Sequence, residues 1–360
     1  MRYDKLLKIV KKIMAIEIIG TGRAVPPKRV SNEELTTRVD TTDEWIVSHT
    51  GISNRHMADE SVACSDLAVE AAINALAMSA GYTGDAPAER DKAAAEAAAS
   101  IDVIILATVS PDYFGTPSTS CIVQDKIGAK KASAMDIIAG CTGFVYGLET
   151  AAGLLSINAE RKRALLIGSE VLTKIVDWKE RKTCVLFGDG AGAVVVEKTA
   201  ADPQSSNRGL LQSILHADGS GRESLVMRRG GTRSPFKIGE TIDLPINIEM
   251  NGKEVYNFAV GAIADIMEEL MKAGNIGLDD IAWIVPHQAN ARIIQAARRR
   301  LHIPAEKIYL NIEEYANTSS ASIPIALDEM NRGGKLKKGD LILTVGFGGG
   351  LTYGGNIIIW

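Results

Sequence analysis

Phe187-Gly-Asp-Gly-Ala-Gly-Ala193, running into Val194-Val195-Val196, is the stretch that decides the fold, because the chain contains its pattern twice. Phe347-Gly-Gly-Gly-Leu-Thr-Tyr-Gly-Gly-Asn-Ile-Ile-Ile359 has the same order: a phenylalanine, a glycine turn, an apolar strand. Working outward from each copy, the neighbours also match. Arg163–Ser169 precedes the first as Leu341–Val345 precedes the second, and Ile101–Leu106 is echoed by Ile281–Val285. Ile18–Gly22, a strand ending in a glycine turn, is echoed by the strand Leu211–Leu215 and the turn after it. Runs such as Ile101-Asp-Val-Ile-Ile-Leu-Ala-Thr-Val109 mark strands covered on both faces. Strands alternating with helical segments imply parallel sheets with right-handed crossovers. Two such units predict a duplicated α/β fold with two covered sheets and a site where the halves meet.

On this reading the halves span residues 16–200 and 208–360. Residues 1–15 are an expected appendage. Arg2, Lys5, Lys8, Lys11 and Lys12 alternate there with Leu6, Leu7, Ile9, Val10 and Ile13, and a start at Met14 is preferred to a helix on a membrane surface. Residues 83–100, rich in Ala, Asp, Glu and Lys, are expected as a surface loop plus an exposed helical extension. Ser31 with Glu34 three residues on predicts a capping box, and Thr183–Phe187 predicts a strand.

The chain has 360 residues, 46% hydrophobic and 23% charged, enough for a sizeable core. A net charge of −4 shows no bulk attraction to nucleic acid or membrane. Cys64, Cys121, Cys141 and Cys184 form neither a disulfide framework nor a CxxC metal site, which points to a reducing compartment.

Asp136-Ile-Ile-Ala-Gly-Cys141-Thr-Gly-Phe144 reads as a buried strand, a tight turn and a cysteine at the start of the helix-compatible segment Thr142–Ile157. There the dipole end of the helix favours a thiolate, the prepared form of a sulfur nucleophile. Val285-Pro-His287-Gln-Ala-Asn290 places a histidine just past a buried strand, where open α/β sheets bind ligands. Tyr315-Ala-Asn317-Thr-Ser-Ser-Ala-Ser-Ile-Pro324 sets an asparagine in a small-residue turn, the counterpart of Cys141 by position in the repeat. Gly348-Gly349-Gly350 offers unobstructed N–H groups suited to an oxyanion hole. Each feature alone has a plainer explanation, as a core cysteine, a satisfied histidine or a turn. A Cys/His/Asn set also serves papain-like proteases, but their cysteine sits in a different local signature.

Taken together, Gly20-Thr-Gly22, Asp40–Ile52, the cysteine element, Phe187–Ala193, Pro286–Asn290, Asn317-Thr-Ser and Gly346–Gly354 resemble the β-ketoacyl-acyl carrier protein synthase III family of the thiolase superfamily, in order from about Ile16 to Trp360. The resemblance implies thiolase-like duplicated βαβαβαββ halves in a layered α-β-α-β-α sandwich. It implies the initiating condensing enzyme of type II fatty acid synthesis: Cys141 takes the acyl group of an acyl-CoA, and the acyl-enzyme condenses with malonyl-ACP, with loss of carbon dioxide. A synthase III-like enzyme of quinolone or polyketide metabolism shares the same triad.

By motif match, Cys141, His287 and Asn317 are the catalytic residues, and the N–H groups of Cys141 and Gly349 form the oxyanion hole. Trp45, Arg181 and Asn290 contact CoA, while Gln288, Arg292, Arg298 and Arg299 meet the acyl carrier protein. Thr116 matches a position that reaches the partner subunit's acyl tunnel, where some acetyl-specific relatives carry Phe; the smaller side chain suggests starters longer or more branched than acetyl. The chain departs from the family at His49, where an arginine is usual, at Thr142 and at Ala316, where glycine is usual. The implied enzyme is a cytoplasmic homodimer that uses no metal and no cofactor beyond its thioester substrates.

Overall fold

A computed structural model describes residues 14–200, 208–239 and 246–360. The expected appendage therefore lies almost wholly outside the described residues. The first sheet contains β1 (Met14–Ala24), β2 (Val103–Ala107), β3 (Ser133–Ile137), β4 (Arg163–Val171) and β5 (Asp189–Ala200). Their order is β1-β5-β4-β2-β3. All five residues of β2 are buried, as expected of a strand paired in parallel with both β3 and β4. The second sheet contains β6 (Gly209–Ala217), β7 (Trp283–Pro286), β8 (Leu341–Gly348) and β9 (Thr352–Ile359), ordered β6-β9-β8-β7. Where the first sheet has β3, the second has a single parallel bridge between Ile284 and Ile308. The two sheets thus repeat one topology, which is the architecture of a thiolase-like fold.

Two apolar helices fill the space between the sheets: α5 (Gly143–Ile157) and α9 (Ser322–Arg332). Phe144, Leu148 and Leu155 share one core with Ile105 and Leu166 of the first sheet, and with Ile323, Leu327, Ile342 and Ile358 of the second half. Helices α2 (Cys64–Ser79) and α3 (Pro87–Ala98) cover the outer face of the first sheet. Helices α7 (Gly252–Gly274) and α8 (Ala291–Arg300) cover that of the second. Among the shorter helices are α1 (Asp43–Thr50), α4 (Thr119–Lys126) and α6 (Arg181–Cys184). The layers read α-β-α-β-α.

Four local expectations change. The strand before Cys141 is the sheet's edge, half-exposed along β3, and Ile138 is 80% exposed rather than buried. Thr183–Phe187 is not a strand, because Glu180 caps α6 by accepting from Lys182 N at 3.0 Å and the turn that follows ends at the bridge between Phe187 and Asn317. The 83–100 segment does more than extend into solvent: Ala94, Ala97 and Ala98 of α3 are buried in the core that α2 shares. Finally, short 3-10 turns at Gly140–Thr142 and Ser319–Ala321 introduce the two central helices, so the positional counterpart of Cys141 is Ser320, three residues past Asn317.

The two turns cross at the centre of the molecule. A Cβ on Gly348 would overlap the backbone nitrogen of Cys141, and one on Gly168 would overlap the carbonyl of Ser320. Gly168→Ala therefore forces backbone apart. A loss on the order of 1–3 kcal/mol is expected, measurable as a lower denaturant midpoint, and an unchanged midpoint would contradict this packing.

Candidate active site

Three elements deliver three side chains to one cavity of about 210 Å³. Cys141 comes from the turn before α5, His287 from the end of β7, and Asn317 from the turn before α9; all three line the cavity. A second, apolar cavity of about 450 Å³ reaches Cys141 from another side, between Phe114, Ile138, Leu172 and Met227. The sulfur therefore sits where two largely apolar cavities meet, the first carrying the polar groups of His287, Asn290 and Asn317. Among the described residues, no carboxylate lines either cavity.

His287 is buried, with the edge of the Phe347 ring against it at 5.7 Å. Its Nδ1 lies 2.7 Å from Ser322 Oγ, and its Nε2 has no hydrogen-bond partner among the described residues. Burial pushes the imidazole down to about 3, so it is neutral at ordinary pH. Asn317 is oriented by its own turn. Its Oδ1 accepts from Ser319 N at 2.8 Å, which assigns the amide and leaves Nδ2 as a donor. Its backbone is pinned to the other half, with N donating to Leu186 O at 2.9 Å and O accepting from Gly188 N at 3.1 Å.

Cys141 is half-buried and unpaired with any other cysteine. Burial pushes its thiol up to about 12; the nearby Ser319 hydroxyl and the Cys141 N–H oppose the rise without cancelling it. This runs against the expectation of a resting thiolate: burial favours the protonated sulfur. Glu170, a buried carboxyl behind the cysteine, adds to this effect. Its Oε2 accepts from Thr108 Oγ1, Val109 N and Ser110 Oγ, and its Oε1 accepts from Ser320 Oγ at 2.8 Å. This carboxyl ties the second turn to the first sheet. The backbone at Gly349 packs against Gly140, beside Cys141.

At the outer end of the cavity, Thr42 Oγ1 accepts from Trp45 N at 3.1 Å and caps α1. The Arg181 guanidinium lies 4.6 Å from the Trp45 ring centroid, and the His49 imidazole stacks on the same indole at 4.4 Å. Asn290 caps α8 by accepting from Arg292 N at 2.8 Å, and donates to His49 O at 3.0 Å. Lys253, Arg292 and Arg299 line shallow cavities beside this mouth.

Other anticipated contacts fall elsewhere. Gln288 is buried, its Nε2 donating to Pro286 O and its Oε1 accepting from Asn311 N, so it is spent on the core and presents nothing to a docking protein. Arg298 is half-buried and donates to Gln295 Oε1 and Ile303 O. Thr116 is exposed and lines neither cavity within this chain, although its neighbours Phe114 and Gly115 do. Sequence reading missed Ser319, Ser322 and Glu170. Only Glu170 left a signal, a carboxylate in the apolar run Ala164–Val171.

Ala316 has φ +56° and ψ −157°, a conformation suited to glycine. Ala316→Gly is therefore expected to stabilise the fold by about 1 kcal/mol, since relief of ~1–3 kcal/mol of strain exceeds the entropy cost of glycine. A matched pair of denaturation curves tests this. His287 gives a second test. Its pKa is about 3 when folded and near ~6.5 when unfolded. Unfolding thus takes up a proton between those values, and stability falls as pH drops through that window. The stability difference between pH 7 and pH 5 should shrink in His287→Asn, and an unchanged difference would rule the burial out as its source.

Among the described residues, no group of three or more His, Cys, Asp or Glu side chains is placed to hold a metal, and no helix is long and apolar enough to cross a membrane. Residues 135–219 match the family model described as 3-Oxoacyl-[acyl-carrier-protein (ACP)] synthase III, and residues 271–360 match that of its C terminal. The chain is 46% identical over 348 residues to a β-ketoacyl-[acyl-carrier-protein] synthase III of Caldanaerobacter subterraneus subsp. tengcongensis, covering 96% of this chain and 98% of that one. It is similar to the crystal structure of the 3-oxoacyl-[acyl-carrier-protein] synthase III from Aquifex aeolicus VF5, with 38% identity, TM-score 0.82, and coverage of 96% and 100%. The priming β-ketosynthase from the R1128 polyketide biosynthetic pathway has 30% identity, the same TM-score, and coverage of 96% on both sides.

Proposed function

This chain belongs to the β-ketoacyl-[acyl-carrier-protein] synthase III family, and on that premise we propose how its residues carry out the condensation that initiates type II fatty acid synthesis. It is an acyltransferase. Cys141 loses its proton and attacks the carbonyl of an acyl-CoA; the carbon–sulfur bond to CoA breaks, and the CoA thiolate takes up a proton. Malonyl-ACP then enters by the same cavity. Its carboxylate leaves as carbon dioxide, and the bonding pair forms an enolate on the thioester. The enolate carbon attacks the acyl-cysteine, and the Cys141 thiolate departs and is reprotonated.

One observation carries this reading. Two neutral groups able to donate, the Asn317 amide through Nδ2 and the buried His287 imidazole, share a cavity with the half-buried thiol, and no carboxylate among the described residues lines it. Such donors stabilise an oxygen that gains negative charge, and they act strongly where water is excluded. The N–H groups of Cys141 and Gly349 are proposed to serve the tetrahedral intermediates. Neither half-reaction calls for a further cofactor, because thioester and carboxylate supply the leaving group and the carbanion.

Trp45, Arg181 and His49 suit the nucleotide end of CoA, with Asn290 forming the wall. Arg292 and Arg299, exposed beside the mouth, suit an acidic carrier protein. The apolar chamber suits the acyl chain, and its size favours starters longer or more branched than acetyl. Phe114 and Ile138, 67% and 80% exposed at its rim, suit coverage by a second copy of the chain, which would bring Thr116 to the partner's chamber. Four cysteines free of disulfides fit a reducing cytoplasm.

Mass spectrometry of the protein after incubation with acyl-CoA should show an adduct on Cys141 that Cys141→Ser abolishes. His287→Ala should slow malonyl-ACP decarboxylation by about 10²–10³-fold while leaving acylation much less affected. Equal losses in both half-reactions would overturn the division of roles. In a panel of acetyl-, isobutyryl- and octanoyl-CoA, a clear preference for acetyl-CoA by kcat/KM would overturn the chamber's assignment.

A further inference from the structure

A neutral imidazole carries one proton, and its two nitrogens do opposite things. If the proton is on Nε2, His287 donates into the cavity. If it is on Nδ1, a lone pair points at the substrate oxygen and repels it. The group that decides lies on α9. Ser322 Oγ is 2.7 Å from His287 Nδ1, and this is the only polar contact that Nδ1 makes among the described residues.

The Ser322 hydroxyl has a single proton and two acceptors within reach. One is Nδ1; the other is the carbonyl of Ser319, at 2.9 Å. That carbonyl is already satisfied, because the backbone N–H of Ser322 itself donates to it at the start of the helix. Nδ1 has no such alternative. The backbone N–H of Gln288 donates to Ser322 Oγ at 3.3 Å, which occupies an oxygen lone pair and directs the hydroxyl proton away from itself. The reverse arrangement, with Nδ1–H donating to Ser322 Oγ and Ser322 O–H to the Ser319 carbonyl, would leave Nε2 a bare lone pair where the proposed decarboxylation needs a donor. The assignment that supplies that donor has Gln288 N–H on Ser322 Oγ, Ser322 O–H on Nδ1, and the imidazole proton on Nε2.

We infer that Ser322 is a positioning residue for the condensation, its hydroxyl donating to His287 Nδ1 so that the imidazole is held as the Nε2–H tautomer. The inference rests on the decarboxylation role proposed for His287. It extends the site by a residue that never meets the substrate. It also explains why Ser322 is buried at the first position of a central helix, within hydrogen-bond reach of both His287 and the turn that holds Asn317. One short segment then sets both donors: Ser319 N–H orients the asparagine amide, and Ser322 O–H sets the histidine tautomer.

The test is ¹⁵N NMR of the full chain labelled at histidine, with the His287 signals assigned by their loss in His287→Asn. The chain has five histidines, so the spectrum is tractable. In the wild type, Nε2 should show a protonated, pyrrole-type shift and Nδ1 a pyridine-type shift. The reverse pattern would overturn the inference whether or not any Ser322 variant folds. In Ser322→Ala the pattern should shift toward Nδ1–H. Malonyl-ACP decarboxylation should then fall on the order of 10- to 100-fold, with acylation of Cys141 by acyl-CoA changed less than about threefold. Unchanged decarboxylation, or equal loss in both half-reactions, would also overturn it. If the wild type forms no acyl-cysteine at all, the proposed function fails, and the tautomer is still read from the spectrum.

Discussion

The passage of two backbone turns through the same small volume is the constraint on which the rest of the structure depends. Gly168 lies beneath the Ser320 carbonyl, and Gly348 lies against the nitrogen of Cys141. Side chains at either position would hold the turns apart. With hydrogen alone, the start of α5 and the start of α9 come to the centre of the molecule between two sheets. Cys141 of one half thereby meets His287 and Asn317 of the other. Hydrogen bonds reinforce the crossing: Asn317 exchanges backbone bonds with Leu186 and Gly188, and Glu170 in the first sheet holds Ser320 in the second turn.

The same burial sets the electrostatics. A site deep between sheets penalises charge, so the imidazole stays neutral and the thiol is held protonated. Neutrality is useful for the donors, because an imidazolium would have to be paid for in desolvation and would attract a counter-ion. In the proposed reaction it also means that the proton of Cys141 leaves during acyl transfer rather than before it. Charge is instead concentrated at the mouth, where Arg181, Lys253, Arg292 and Arg299 are arranged on a chain of net negative charge. The site grades from cationic surface, through a largely apolar channel with a few neutral polar groups, to an apolar chamber.

Much of the plan was legible because it follows from local pattern. Buried parallel strands are continuous apolar runs, and Val103–Ala107 was readable as one for that reason. The repeated phenylalanine–glycine–strand pattern made the duplication visible, and with it the layered α/β class. The misreadings share a cause. Asp136–Ile138 looks like an interior strand but lies at a sheet edge, and a run of residues carries no record of its neighbours. Thr183–Phe187 has strand-like residues, yet the cap from Glu180 and the pairing of Phe187 with Asn317 are contacts made across the fold. Gln288 and Arg298 sit in a polar, basic stretch, and only the packing of β7 and α8 shows that their side chains turn inward.

By itself the amino-acid sequence determined the element types, the repeat and the identity of Cys141, His287 and Asn317, because periodicity and motif chemistry are local properties. Tertiary structure alone decided that these three share a cavity, that an apolar chamber opens beside the sulfur, and which partners hold His287 and Asn317. The physical reason is that protonation, amide orientation and tautomer are set by partners distant in the chain. Ser322 is 35 residues from the histidine it touches, and Glu170 is 150 from the serine it holds.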